Sequence, residues 1–414
     1  MKWLVGRTEK TYRGSTVRAQ KPEDTWQAIS PLFAQVGLSR VGLVTGLDCV
    51  GIPTAMAVRP NARSLSVSQG KGTSPLLARV SAAMESLELY HAEDIRLPLR
   101  RATLFDLQQE GGVIDVAALP RAFRAPYPEL QTLWVQGHEL LAGRSLWVPL
   151  GLVHMDLTLP LLEGSDVFPP SSSGLSSGNS VSEALVHALC ELIERDAYTR
   201  FFQLPPAVQE ARRLSLSTIQ DPTCSWLVSR FAQGDLLLEV WDITSDIGLP
   251  SFLCATLEAG DNPFRRVGIA YGVGAHVNPV VALSRALTEA AQTRLTRISG
   301  SRDDMLPEFG QRLRSADQRK LQLRQFSPEP GARPFAAAPV ADGETFEDDV
   351  RYLLRRLALV GVTQVVAVDL SRPGWPVAVV RALAPGLEAM LGTPAYHPGG
   401  RALGAFAAAE RGET

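Results

Sequence analysis

Ser176, Asn179, Glu183, His187, Glu191 and Glu194 follow one another at intervals of 3, 4, 4, 4 and 3 residues. Such intervals keep side chains on one face of a helix. Ala184, Leu185, Ala188, Leu189, Leu192 and Ile193 lie between them and cover most of the circumference with apolar surface. Carboxylates repeated along one face repel each other, and burying them costs far more unless a cation compensates. Arg195 is one such cation, but a single charge cannot neutralise three glutamates. Mg²⁺ suits the remainder, because it is hard, takes carboxylate oxygens and bridges to phosphates.

Two further segments carry the same kind of face. Ser81, Glu85 and Glu88 stand at i, i+4 and i+7, just after the turn SQGKGTS, in which Gly70 and Gly72 flank Lys71. That turn is not a Walker A loop: Leu65 and Gly72 stand where Gly and Ser/Thr are required. Arg285 and Glu289 stand at i and i+4, with Gln292 following. Any one such face has an ordinary explanation, a solvated stripe on an amphipathic helix. Three together point to one shared, carboxylate-rich site. Carboxylates hold phosphates only through a bridging cation, with Arg and Lys completing the neutralisation. A nucleoside triphosphate with two or more Mg²⁺ is the natural ligand.

Other candidates are weaker. His138, His154 and His397 are isolated. His276, in GIAYGVGAHVNP, sits on a Gly-rich turn and is a candidate to line the site. No G-x-S-x-G, Rossmann glycine fingerprint or H-E-x-x-H occurs. The four cysteines are scattered without a C-x-x-C pair, which argues against zinc ribbons and thioredoxin-like chemistry and fits a reducing cytoplasm. Apolar residues make up 45% and charged residues 20% of 414 positions, an ordinary balance for a globular enzyme. The net charge of −2 gives no bias toward nucleic acid or an anionic membrane. The opening MKWLVGRTEKTYRG lacks the apolar stretch of a signal peptide. No apolar run reaches the roughly 18 residues of a membrane span.

The elements that must position these residues can be read from turn and cap signals. Three segments read as strand, turn, strand: Arg40 to Pro60, Leu236 to Glu258 and Gln364 to Leu383. Each has an Asp and then Gly-x-Pro between apolar runs, a weak internal repeat, although Asp, Gly and Pro are also what turns generally use. Helices are predicted over Ser74–Glu93, Val181–Phe202, Pro279–Ile298 and Thr345–Leu359. The loop VFPPSSSGLSSGNS before the second can present N–H groups at a helix start. From 300 to 344 the composition shifts to charge, Pro and Ala, as in surface structure, a lid or a linker. Strands and helices mix without strict βαβ alternation, which favours α+β over doubly wound α/β.

In order and spacing, Ser81-Glu85-Glu88, then Ser176-Asn179-Glu183-His187-Glu191-Glu194-Arg195, then Arg285-Glu289 resemble the nucleotide signatures of the YcaO family of ATP-dependent peptide-backbone-modifying enzymes. Those signatures are S-x3-E-x2-E, S-x2-N-x3-E-x3-Q-x3-E-x2-E-R and R-x3-E. The Gly70-Lys71-Gly72 turn is also typical of the family. Arg18 and Thr25 fall where it places a basic and a hydroxyl residue at the nucleotide. Two positions depart: His187 replaces the usual Gln, and Leu89 replaces an Arg that often follows the second Glu. Neither removes a carboxylate.

The resemblance implies an α+β, YcaO-type fold: mixed and antiparallel sheets with hairpins, and helices packed round a central ATP site. It implies one domain over residues 1–414 with its core at about 10–405. Residues 300–344 would be an insertion or lid, and 345–405 a helix–hairpin part of the core. ATP and Mg²⁺ are the implied cofactors. Glu85, Glu88, Glu191, Glu194 and Glu289 would hold metal. Arg18, Thr25, Lys71, Ser81, Ser176, Asn179, Glu183, His187, Arg195 and Arg285 would hold the nucleotide. The implied reaction phosphorylates a backbone amide oxygen of a peptide or protein. External sulfide then gives a thioamide; a Cys, Ser or Thr side chain gives an azoline. The tail GGRALGAFAAAERGET lacks the PxPxP ending common in azoline-forming members. TGLDCVGIP and the segment from Gly272 to Asp304 look like the branch with TfuA partners, which favours thioamide formation with a TfuA-like sulfur-delivery partner. A cyclodehydratase or a non-catalytic nucleotide-binding scaffold are the alternatives. A cytoplasmic homodimer is expected. No general base is evident.

Overall fold

Each helix with an acidic face follows directly on the edge strand of a sheet. The computed structural model describes residues 6–120, 128–262, 265–302, 315–327, 329–341, 343–393 and 396–410. Strands β1 (Arg40–Leu43), β2 (Thr54–Val58) and β3 (Val67–Lys71) form an antiparallel sheet, and β3 runs into α1 (Pro75–Glu93). A larger sheet begins with β4 (Leu99–Ala102), β5 (Thr132–Glu139) and β6 (Arg144–Pro149). Its far edge, β7 (Leu175–Gly178), runs into α2 (Val181–Phe201). A third antiparallel sheet contains β8 (Leu236–Asp242), β9 (Ser251–Glu258) and β10 (Ala270–Ala275), and β10 runs into α3 (Pro279–Ser299). Helix α4 (Phe346–Leu359) precedes β11 (Val366–Asp369) and β12 (Ala378–Leu383), and α5 (Gly400–Glu410) follows. The large sheet is ordered β4-β5-β11-β12-β7, with β6 also on β5.

The three strand–turn–strand segments are thus the antiparallel pairs β1–β2, β8–β9 and β11–β12. Each pair receives a third antiparallel strand that leads into an acidic-faced helix: β3 into α1, β10 into α3, β7 into α2. In the large sheet the pair comes last in sequence and closes on a strand far upstream, as in Arg381↔Leu175. The sequence repeat is therefore one unit used three times, once in permuted order.

Close packing fixes each helix against its strand. A Cβ on Gly70 would lie 2.1 Å from Ala82 N, one on Gly272 2.2 Å from Ala290 N, and one on Gly178 2.7 Å from Ala184 N. Only glycine allows the backbones this near. The helix starts are capped in one manner: Ser74 Oγ accepts from Leu77 N, Ser180 Oγ from Glu183 N, and Asn278 Oδ1 from Val280 N. Pro75 and Pro279 occupy the first helical position.

The large sheet separates two cores. Along β12, Val379 and Leu383 pack with Ala82 and Leu87 of α1, whereas Val380 and Ala382 pack with Leu185 and Leu189 of α2 and Leu353 of α4. Leu185 and Leu189 are fully buried, and such burial stabilises by about 1.5–3 kcal/mol per side chain.

The segment expected to be an insertion or lid falls partly outside the described residues, at 303–314, 328 and 342. Its described parts are tied to the third sheet. Arg319 Nη2 donates to the carbonyls of Glu258 and Gly260, Arg333 pairs with Asp242 at 2.7 Å, and Phe335 lies against Phe252. Among the described residues no helix is long and apolar enough to cross a membrane.

Candidate active site

The three helices present equivalent positions to one space. Counted from the caps Ser74, Ser180 and Asn278, the seventh residue is Ser81, His187 or Arg285. The eleventh is Glu85, Glu191 or Glu289, and the fourteenth is Glu88, Glu194 or Gln292. The five carboxylates and ten other residues singled out from sequence all line a single cavity of about 450 Å³. His276 does not line it. Its Nδ1 accepts the Asn278 N–H at 3.0 Å, so its place is in the turn before α3.

One end of the cavity is closed by a chain of polar contacts. Thr25 Oγ1 donates to Asn179 Oδ1 at 2.9 Å, and Asn179 Nδ2 donates to Glu183 Oε2 at 3.1 Å. The Ala19 N–H donates to the same oxygen at 3.0 Å, and Arg18 Nη1 lies 3.7 Å from Glu183 Oε1. Arg18 Nη1 also bonds His187 Nε2. Burial pushes His187 well below the usual histidine range, and the charges of Arg18, Arg285 and His276 push it further. A neutral imidazole with an unprotonated Nε2 is what an arginine donor needs. His187 therefore does an amide oxygen's work opposite Arg18, which accounts for its standing in a glutamine position.

At the other end, carboxylates lie in low-dielectric surroundings. Burial pushes Glu85 up to about 7, against the pull of Arg302 and Lys71. Burial, then the charges of Glu191 and Glu85, push Glu88 far above the carboxylate range, although Ser177 Oγ donates to it at 3.1 Å. Burial raises Glu194 as well, with Arg195 opposing. Glu289 is buried too, but Lys71 and Arg195 more than offset the burial and hold it low. Lys71 Nζ is ion-paired with Glu289 Oε2. Arg195 lies 3.3 Å from Glu191 and 3.9 Å from Glu194. Backbone N–H groups of Val273 and Ala275 on β10 fix Glu289 and Glu194 at 3.3 and 3.0 Å.

This arrangement is short of positive charge at Glu85, Glu88 and Glu194, and a divalent cation would supply it. Among the described residues no three His, Cys, Asp or Glu side chains converge on one point. Mg²⁺ takes one or two carboxylates and completes its shell with phosphate and water oxygens. Arg285 Nε is buried without a hydrogen-bond partner, a donor left over for such an oxygen. The residues present therefore fit a metal–nucleotide.

Arg381 of β12 escaped the sequence reading. It is 3% exposed, donates through Nη2 to the Ser171 carbonyl at 2.7 Å, and leaves Nε and Nη1 without partners. Burial pulls it down to about 10, opposed by the charges of Glu191 and Glu88. A single Arg in the apolar run AVVRAL is its only signal in the sequence.

Comparison with known proteins agrees with this geometry. Residues 69–388 match the family model described as YcaO cyclodehydratase, ATP- and Mg²⁺-binding. A protein from the tfuA 3′ region of Rhizobium leguminosarum bv. trifolii is 36% identical over 95% of this chain and 94% of its own. A protein of Methanothermobacter thermautotrophicus is 31% identical over 90% of this chain and 95% of its own. Among solved structures, YcaO from Methanopyrus kandleri bound with AMPPCP and Mg²⁺ superposes with TM-score 0.71 at 25% identity, over 92% of this chain and 95% of that one. A heterocyclase in complex with substrate and cofactor has the same fold, with TM-score 0.75 at 19% identity; this chain covers 57% of its length. The protein belongs to the YcaO family, alongside the relative from the tfuA region.

Proposed function

We propose that the protein is an ATP- and Mg²⁺-dependent enzyme that activates a backbone amide of a peptide or protein and, with a TfuA-like sulfur-delivery partner, converts it to a thioamide. The observation that carries this reading is the cavity walled by the carboxylates of α1, α2 and α3, with Lys71, Arg195 and Arg285 among them. When bound, Mg–ATP supplies the phosphoryl group that turns an amide oxygen into a leaving group.

The chain's own residues prepare the site for that ligand. Glu85, Glu88, Glu191, Glu194 and Glu289 are the metal-holding set. Lys71, Arg195 and Arg285 offset phosphate charge. Arg18, Thr25, Asn179, Glu183 and His187 form the preorganised wall at the opposite end, and Ser81 and Ser176 add hydroxyls. Burial of the walls limits water, so the electrostatic contacts act at low dielectric.

The relative from the tfuA 3′ region favours sulfide as the nucleophile. The family model's description as a cyclodehydratase and the fold shared with a heterocyclase favour the second reading, azoline formation. Product mass separates them when peptide, partner, sulfide and Mg–ATP are supplied. Thioamide formation adds about 16 Da to the peptide, and cyclodehydration removes about 18 Da. Loss of mass without sulfur incorporation would overturn the first reading.

A further inference from the structure

A second cavity stands beside the far end of α2. Glu194 lines the nucleotide cavity, and Ala197, almost one turn further along the same helix, lines a separate space of about 380 Å³. Phe201, Leu204, Ile243, Ala405 and Ala408 give that space an apolar wall. Arg200, Arg212 and Asp246 also line it. None of these residues lines the nucleotide cavity.

The charges around it do not cancel. Asp246 accepts from Arg401 Nη2 at 2.8 Å and is ion-paired with Arg200. Asp196 is held by Arg401 with two contacts of 2.9 Å, and Asp242 by Arg333 at 2.7 Å. Glu388 accepts the N–H groups of Gly399 and Ala402 at the start of α5. Arg356 of α4 donates to the carbonyls of Asp246 and Ile247. Among the described residues, Arg212 and Arg356 have no carboxylate within ion-pair distance, and of the two only Arg212 lines the cavity. Arg212 Nη1 donates to the Thr244 carbonyl at 3.0 Å, which fixes the guanidinium without neutralising it. Burial pulls Arg212 below the usual arginine range, with Asp242 opposing and Arg333 and Arg200 adding to it. Arg200 Nε is buried without a hydrogen-bond partner. A partly desolvated guanidinium and an unmatched donor both gain from a negatively charged acceptor.

A ligand that satisfies this cavity brings a carboxylate and an apolar group together. A bare phosphate meets the charge and leaves the apolar wall wet. The last residue of a peptide has both parts, an α-carboxylate beside its side chain. We propose that the cavity is a second binding site, which receives the C-terminal residue of a peptide with its carboxylate on Arg212 and an apolar side chain against Phe201, Leu204 and Ala405. A guanidinium meets a carboxylate through parallel N–H donors, which gives orientation as well as affinity. Glu194 and Phe201 are seven positions apart on α2, roughly 10 Å along its axis, so a peptide held here by its end stays near the nucleotide site. The assignment to a peptide rests on the peptide-modifying reading of the protein; the cavity and its charge do not.

NMR titration of the nucleotide-free protein with N-acetyl-leucine, N-acetyl-leucinamide and 4-methylpentanoate tests it. N-acetyl-leucine is expected to saturate with a Kd of about 1 mM, and its amide to bind about tenfold more weakly. Arg212→Gln should lose the preference for the acid, and Arg212→Lys should recover part of it. Ala408→Trp, at a half-buried position of α5, should block both ligands by filling the space. Circular dichroism melts and unchanged Mg–AMPPCP affinity establish that each variant is folded. No saturable binding of N-acetyl-leucine, equal binding of acid and amide, or an acid preference that survives in Arg212→Gln would overturn the proposal. Binding of 4-methylpentanoate as tight as that of N-acetyl-leucine would overturn the assignment to a peptide. Wild type that binds N-acetyl-leucine as expected but not Mg–AMPPCP would overturn the nucleotide reading instead.

Discussion

Lys71 at the end of β3 and Glu289 on α3 are ion-paired across the cavity, which joins a residue proposed to meet phosphate to a residue proposed to hold metal. Lys71→Met removes the phosphate partner and leaves Glu289 with Arg195 as its main compensating charge. The expected result is Mg–AMPPCP affinity at least tenfold lower by calorimetry, one lost charge-assisted contact. Unchanged affinity would remove Lys71 from the nucleotide site.

His187 and Arg18 give a second test. If the imidazole serves as a neutral acceptor for Arg18, a side-chain amide at that position supplies the same acceptor. His187→Gln should then leave Mg–AMPPCP affinity within about threefold of wild type, whereas His187→Leu removes the acceptor and should cost tenfold or more. Equal affinities in the two variants would mean that the contact is structural only.

Much of this site was legible because caps and spacings are local. Ser74, Ser180 and Asn278, with Pro75 and Pro279, place three helix starts to within a residue, and the 3- and 4-residue intervals then place their faces. Hairpins were legible for the same reason, since Asp and Gly-x-Pro mark their turns. Long-range relationships were not. Nothing local says that β12 closes on β7, so Arg381, alone in an apolar strand, had no visible counterpart in Glu88 or Glu191. β5, where Gln136, Gly137 and His138 interrupt the apolar pattern, and the short β6 carry no alternation strong enough to single them out. His276 looked like a site residue because a Gly-rich turn before a helix is a common ligand platform; its ring holds that turn instead.

A buried histidine outside the cavity sets an acid limit. His91 donates through Nδ1 to the Leu87 carbonyl at 2.6 Å and meets the Trp375 ring edge-on at 5.1 Å. Burial pushes it from 6.5 down to about 4, and Arg372 and Arg96 act in the same direction. The unfolded chain therefore binds a proton between these values that the folded chain refuses, and stability falls as pH drops from 6.5 toward 4. The loss amounts to roughly 3 kcal/mol at most. His91→Phe should flatten this limb in urea titrations across that range. An identical pH profile in the variant would exclude His91 as its source.

The C-terminal helix is fastened to α2 just past the carboxylates. Arg401 meets the fully buried Asp196 with two contacts of 2.9 Å, and the same carboxylate accepts the Glu388 N–H at 3.1 Å. Arg401→Met leaves that charge buried with Arg200 4.0 Å away. Removing one partner of such a pair costs about 3–5 kcal/mol. Urea denaturation should show that loss, with part of it recovered by adding Asp196→Leu, because an apolar pair carries no desolvation cost. A loss under about 1 kcal/mol, the value for exposed pairs, would contradict the burial argument.

Glu194 separates the demands of folding from those of binding. It is 2% exposed, raised by burial, and satisfied on one oxygen by the Ala275 N–H at 3.0 Å. Glu194→Gln keeps that acceptor and the shape of the side chain, and Arg195 retains Glu191 at 3.3 Å. The variant sheds the cost of holding an under-compensated carboxylate, so the ligand-free protein should be more stable by about 1 kcal/mol, a rise in melting temperature of roughly 2 °C. Mg²⁺ loses a charged ligand, so the further stabilisation that Mg–AMPPCP gives wild type should largely vanish. Melting curves with and without Mg–AMPPCP read both effects at once. A variant that melts lower than wild type without ligand, yet keeps the full ligand-induced rise, would show that Glu194 supports the fold rather than the metal.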